Sequence, residues 1–464
     1  MITKYLKNTQ LYKVMFRIAW PIALQSLITV GVNLMDTVML SQMGDAQLSA
    51  SSLGGNYFSL VMVMCMGLGM GSSVMTARYY GMGDNHSLKQ TVTIMLRAAI
   101  LLCLLFTAIT AIIPFTIMRI YTQEESVVRY GVTYLQWILP TFLMTAFTTP
   151  LTTVLRSVNL VKVPLVSAII AFFTNIFFNW MFIFGKLGAP RMEIAGAALG
   201  TSIARACEFL IIAGYFFFID KRIGYRIKNL FMHVKGLVRE YIKVSFPVLV
   251  SDTLLTFGNN ALAIVMGHIG STFVAANSVS AVILQLATIF GQAVANSSGI
   301  ITGQTLGRGE VERAKFDAYT FVIIGIIIGL FAGIVIFAIR GPVVNYYNIS
   351  AEAKEIANQM LIAISILIIF QIMNSILTKG VLRAGGDTRF LMAGDILFLW
   401  ILSIPLGALA GLVWHWPAFW VFFMLKIDQI VKCVWCLFRL KSGKWVKYIR
   451  QSDDVIAEQK AQHE

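Results

Sequence analysis

An acid inside an apolar run needs a reason, because a charge at the centre of a membrane helix costs roughly 2.5–3.5 kcal/mol on insertion scales. Asp36 is such an acid, about one helical turn after Asn33. Further along, Asn175 and Asn179 are spaced i,i+4, which puts both amides on one helix face. Thr201 falls early in the next apolar run. If successive runs cross a bilayer in alternate directions, all four side chains lie in outer halves. One carboxylate, two amides and a hydroxyl then reach similar depth. Oxygen ligands of this kind suit a hard cation such as Na+. They equally suit a carboxyl that carries a proton, its affinity set by burial and hydrogen bonding. Two structural readings stay open: Asp36 capping its helix at the water boundary, and asparagines joining helices by hydrogen bonds.

Other polar residues inside apolar runs are weaker candidates. Arg205 and Glu208 are three apart on one face and are expected to neutralise each other. Asp252 has no partner evident in the sequence and is a candidate ion or substrate contact, as are Asn33, Met62 and Met66. Flexible thioethers suit either a packed core or a cavity that accepts varied apolar cations. Lys426 and Asp428 are too close to face each other on a helix, so each needs another partner. Asp395 is expected to reach an interface, and Arg156, Arg383 and Asp387 read as anchors at helix ends. Pro21 and Pro247 remove a backbone hydrogen bond early in their runs, making a static kink or a hinge. Gly67, Gly69 and Gly71 form GxGxG without a preceding strand, so they serve helix packing rather than a dinucleotide. Of five cysteines, Cys433 and Cys436 make a CxxC with no second pair, so no zinc site is expected.

These residues are carried by apolar blocks of about 20–28 residues, each able to cross a hydrocarbon core of ~30 Å. The 464 residues are 58% hydrophobic and only 13% charged, against roughly 25% charged in soluble domains. Twelve transmembrane helices are expected, at 14–40, 50–80, 91–118, 130–155, 163–185, 193–219, 241–268, 276–305, 317–339, 354–382, 389–412 and 416–440. The formal charge of +15 comes from Lys and Arg concentrated in alternate short loops, which reads as membrane topology rather than nucleic-acid binding. It places both termini in the cytoplasm of a multi-pass protein of the plasma (bacterial inner) membrane. The first run reads as an uncleaved anchor.

The chain repeats itself. A shift of 226 residues overlays Pro21 on Pro247, Asn33 on Asn259, Thr76 on Thr302 and the loop GMGD (81–84) on GRGE (307–310). A shift of 227 overlays VLR at 154–156 and 381–383. The expected architecture is all-α: an N-terminal six-helix bundle over 1–219, a cytoplasmic linker over 220–240, a C-terminal six-helix bundle over 241–440 and a cytoplasmic tail over 441–464. Six helices separate equivalents, so the halves run parallel, a plan suited to alternating access. Asp36 breaks the repeat, since its counterpart is Leu262.

The segments VNLMDTVMLSQMGDAQLSA (32–50), IAGAALGTSIAR (194–205) and VLRAGGDTR (381–389), with the early proline and the NxxxN, resemble the multidrug and toxic compound extrusion (MATE) transporters, NorM-like branch. The resemblance spans about residues 10–440. It implies a V-shaped pair of bundles that exports organic, often cationic, compounds against inward Na+ or H+. It implies that Asp36 binds the coupling ion, assisted by Asn175, Asn179 and Thr201. The chain departs from NorM-type members at Leu255, where an acid is common, and near Ile372, where the nearest polar group is Asn374.

A secondary antiporter is therefore the leading expectation: no enzyme, no cofactor beyond the coupling ion, a monomer in a lipid bilayer, with small organic cations or metabolites as partners. A flippase for lipid-linked saccharides of the same superfamily would need a strongly basic cavity. A membrane-embedded enzyme or a channel is less expected.

Overall fold

The computed structural model describes residues 9–449 apart from 235 and 348. Positions 1–8, Lys235 and the 450–464 part of the expected tail lie outside the described residues. The first half runs α1 (Thr9–Ser41), α2 (Asp45–Met82), α3 (Asn85–Ile112), α4 (Pro114–Tyr121), α5 (Glu125–Ile138), α6 (Pro140–Ser157), α7 (Lys162–Phe184) and α8 (Ile194–Gly214). The second runs α9 (Leu237–Ile269), α10 (Ser271–Gly307), α11 (Val311–Tyr346), α12 (Ala351–Ser375), α13 (Thr388–Asp395), α14 (Ile404–Ala408), α15 (Ala418–Leu425) and α16 (Asp428–Lys441). π-helical turns extend α8 over Tyr215–Ile219 and α12 over Ile376–Leu382, and flank α14.

Each of the twelve expected segments is largely helical, but not all are single spans, and the third is interrupted at Ile113 between α3 and α4. Among the described residues ten helices are long and apolar enough to cross a membrane, or eleven if the pair α5 and α6 counts as one. That pair bends by 57° at Leu139, where Pro140 opens α6 without an N–H to donate. The twelfth expected segment is broken at Lys426 and Ile427, between α15 and α16. By contrast α1 passes Pro21, and α9 passes Pro247, without interruption.

The helices sort into two compact units. One holds 24–76 and 84–242; the other holds 9–23, 77–83 and 243–449. A split at the linker alone would leave 9–23 and 77–83 with the first half. Hydrogen bonds from α2 account for part of the difference: Arg78 Nε donates to Ala384 O (3.0 Å) and its Nη1 to Lys447 O (2.5 Å). Helix α1 changes unit between Ala23 and Leu24, just after Pro21.

Much of the expected loop and tail is packed. Asp220 accepts from the amides of Ile223 (3.0 Å) and Gly224 (3.3 Å). Tyr225 is buried and hydrogen-bonds Thr93 of α3 at 2.9 Å; burial pushes its phenol up. Arg97 donates to the carbonyls of Leu230 and Met232. After α16, Trp445 is fully buried over Gly385, where a Cβ would collide with its ring.

The second-half unit pairs its buried charges. Asp252 accepts two hydrogen bonds from Arg383, at 2.9 and 3.2 Å. Asp395 meets Lys432 and Ser251. Asp387 accepts from Arg439 Nε at 2.6 Å, and Asp428 accepts from Ser403 at 3.1 Å. Lys426 donates to Asn259 (3.2 Å). The expectations of interfacial anchoring at Arg383 and Asp387, and of Asp395 reaching an interface, therefore fail. All three are buried, and a buried charge is tolerable when paired and hydrogen-bonded.

Candidate functional site

The site lies inside the first-half unit, where α1, α7 and α8 meet. The two asparagines of α7 sit one turn apart and face inward: Asn175 is 2% exposed and Asn179 is 0% exposed. Gly200 of α8 makes the approach possible. A Cβ there would collide with Asn179, lying 2.9 Å from its backbone N and 3.2 Å from its Cγ. Without that Cβ, the two helices close until the amides of one meet the hydroxyl of the other.

A hydrogen-bonded chain results. Asn179 Nδ2 donates to Asp36 Oδ1 at 2.6 Å and to Asn175 Oδ1 at 3.3 Å. Asn175 Nδ2 donates to Thr201 Oγ1 at 3.3 Å. The four residues predicted from spacing and depth are thus linked side chain to side chain. Asn179 Oδ1 is buried and has no hydrogen-bond partner among the described residues. A buried carbonyl oxygen left unpaired is costly, and this one faces Gly200 of α8.

Asp36, Asn175 and Thr201 open on a cavity of about 610 Å³ in the same unit. Asn33 and Met62 also line it. Met66 is not among its lining residues and is 42% exposed. Asp252 belongs to the other unit and pairs with Arg383 there. Pro21 and Pro247 also belong to the other unit.

Several lining residues escaped the sequence reading. Gln25 lines the cavity and accepts from Arg156, which is drawn to it rather than serving as an anchor. Tyr134 of α5 lines it too. Arg205 and Glu208 do pair, Nη1 to Oε2 at 2.7 Å, but both stand on the cavity wall. The spacing Thr201, Arg205, Glu208 was the available signal, because i,i+4 and i,i+3 steps keep one helix face.

A family model, MatE, matches residues 21–181 and 247–429. The chain belongs to the MatE family. The two matched stretches begin at Pro21 and Pro247, the residues that define the internal repeat. Among MatE relatives, the multidrug resistance protein MdtK of Photorhabdus laumondii is 23% identical over 469 residues, covering 98% of each chain. The multidrug resistance protein NorM of Vibrio vulnificus is 23% identical, covering 89% of this chain and 92% of the relative. A solved mutant of the Vibrio cholerae MATE transporter VcmN superposes with a TM-score of 0.86 at 17% identity, covering 95% of this chain and 98% of that one. The all-α polytopic fold is thus that of the MatE family.

Proposed function

We propose that this chain is a secondary antiporter that exports organic compounds, cations among them, in exchange for inward Na+ or H+, and that the coupling cation binds at Asp36. The observation that carries the reading is the chain Asp36–Asn179–Asn175–Thr201 opening on one cavity. Asp36 supplies the negative charge. Asn175 Oδ1 and Thr201 Oγ1 supply neutral oxygens suited to a hard cation. Under proton coupling the same carboxylate takes the proton, and the asparagine amides orient it. The multidrug resistance names of the relatives support the export of foreign compounds.

The cycle follows from these parts. Substrate enters from the cytoplasm and leaves outside; an inward cation then occupies Asp36 and resets the carrier. Each entering cation contributes about 2.3 kcal/mol per 100 mV of inside-negative potential. Occupancy couples to transport only if the cation binds one conformation better than the other. Pro21, at the point where α1 changes unit, suits a hinge. The cell-membrane location, cytoplasmic termini, monomeric state and the 1–219 and 241–440 bundles belong to the same reading.

Dye efflux from inverted vesicles, energised separately by a sodium jump and by a pH jump, tests it. Asp36→Asn should abolish driven efflux at unchanged membrane expression. Full driven efflux by that variant would refute the coupling site.

A further inference from the structure

Three charged side chains line the first-half cavity: Asp36, Arg205 and Glu208. Asp36 accepts from the neutral amide of Asn179 and makes no ion pair among the described residues. A partly buried carboxylate without a cation is unfavourable in a membrane interior, so an ion-free Asp36 needs a counter-charge. We propose that Arg205 is a tethered cation that alternates between Glu208 and Asp36, sitting on Asp36 when the coupling ion is absent and returning to Glu208 when it binds. The proposal rests on the coupling role of Asp36.

The geometry carries it as follows. Arg205 is four residues after Thr201 on α8, hence on the same face and about 5–6 Å further along. Thr201 is hydrogen-bonded to Asn175, which reaches Asp36 through Asn179. Arg205 spends one N–H on Glu208 at 2.7 Å; its side chain is 28% exposed while that of Glu208 is 12% exposed. Guanidinium has five N–H groups, so the pair leaves donors open to the cavity. The facing stretch of α7 presents Ala168 and Ala171 to that space, and methyl groups leave room for a long side chain to swing.

Glu208 has a substitute waiting. Arg156 of α6 is held by Gln25, which lines the same cavity. Its Nε is buried without a partner among the described residues. When Arg205 moves to Asp36, Arg156 balances Glu208. Tyr134 of α5 is the remaining titratable group on the cavity wall. No carboxylate is stranded in either state, so the ion-free carrier can change conformation, and Arg205 sets how strongly the ion must compete.

The test is transport by the reconstituted full chain across a sodium series at fixed pH and a pH series at fixed sodium. The readouts are the half-saturating ion level and the maximal rate. Glu208→Gln releases Arg205 onto Asp36, so the half-saturating sodium should rise, by up to about fivefold, the upper range of a partly exposed ion pair. Under proton coupling the midpoint moves to lower pH. Arg205→Gln should move either value the opposite way, and Arg205→Lys should stay near wild type. In the double variant the Glu208→Gln effect should vanish, a dependence that a merely structural role would not produce. Equal Glu208→Gln shifts with and without Arg205, or an ion-coupled wild type with no shift in any variant, would overturn the switch alone. A wild type indifferent to both ions would overturn the antiporter reading and the switch with it.

Discussion

Gly200→Ala adds one methyl group at the contact between α7 and α8. That methyl would collide with Asn179 Oδ1 and stand 2.9 Å from its backbone N, inside ordinary van der Waals distance. The backbone of α7 cannot yield cheaply, so either the helices part or the Asn179 side chain leaves its place. Both lengthen the 2.6 Å hydrogen bond from Asn179 to Asp36. A hydrogen bond to a charged group contributes about 1.5–3 kcal/mol. At 1.4 kcal/mol per decade, its loss weakens cation binding about tenfold to a hundredfold. Overpacking separately costs roughly 1–3 kcal/mol of stability. Ion-driven dye efflux over a range of coupling-ion concentrations gives the first quantity, and thermal unfolding in detergent gives the second. Gly214→Ala is the control, because a Cβ there meets nothing within 4 Å. Wild-type half-saturation in Gly200→Ala, or an equal loss in Gly214→Ala, would refute the close-approach argument.

Other perturbations follow from the same geometry. Arg383→Ala leaves Asp252 buried without its bidentate partner; about 3–5 kcal/mol of stability should go, and adding Asp252→Ala should restore much of the melting temperature. Trp445→Ala empties a fully buried site and should cost about 3–5 kcal/mol, read as a lower unfolding temperature. Hydrogen bonds from Arg313 and Arg308 hold the Glu310 carboxyl below its ordinary range. Its contribution is therefore present above the usual glutamate pKa and is lost on acidification through the lower folded value. The melting-temperature difference between wild type and Glu310→Gln should be constant near neutral pH and fade in acid.

The helices were legible because a span needs a long apolar run, and such runs are local. The candidate site was legible for a related reason. Asn175 and Asn179 share a face by periodicity, and alternating topology gave Asp36 and Thr201 the same depth. What escaped was set by tertiary neighbours. Nothing local links Asp252 to Arg383, 131 positions away. The Arg205–Glu208 pair was visible as a spacing, but its place on a cavity wall depends on what α1 and α7 leave empty. The role of Gly200 is set by Asn179 of another helix packing against it. The final span looked continuous in hydropathy, yet Lys426 and Asp428 have partners on other elements, and the helix is broken between them. The same distance effect hid the burial of Trp445, which lies in the expected cytoplasmic tail.

Arg78 carries a consequence for how the protein is made. The residue is 4% exposed, and its guanidinium donates to Ala384 O and to Lys447 O, the second across 369 positions of sequence. During synthesis the end of α2 emerges long before either carbonyl exists. Until residues near 447 arrive, that charge must remain hydrated, and 77–83 cannot take their final place. The second helix of the molecule is therefore among the last to be completed. Loss of the chain around Lys447 would be felt at Arg78, near the end of α2.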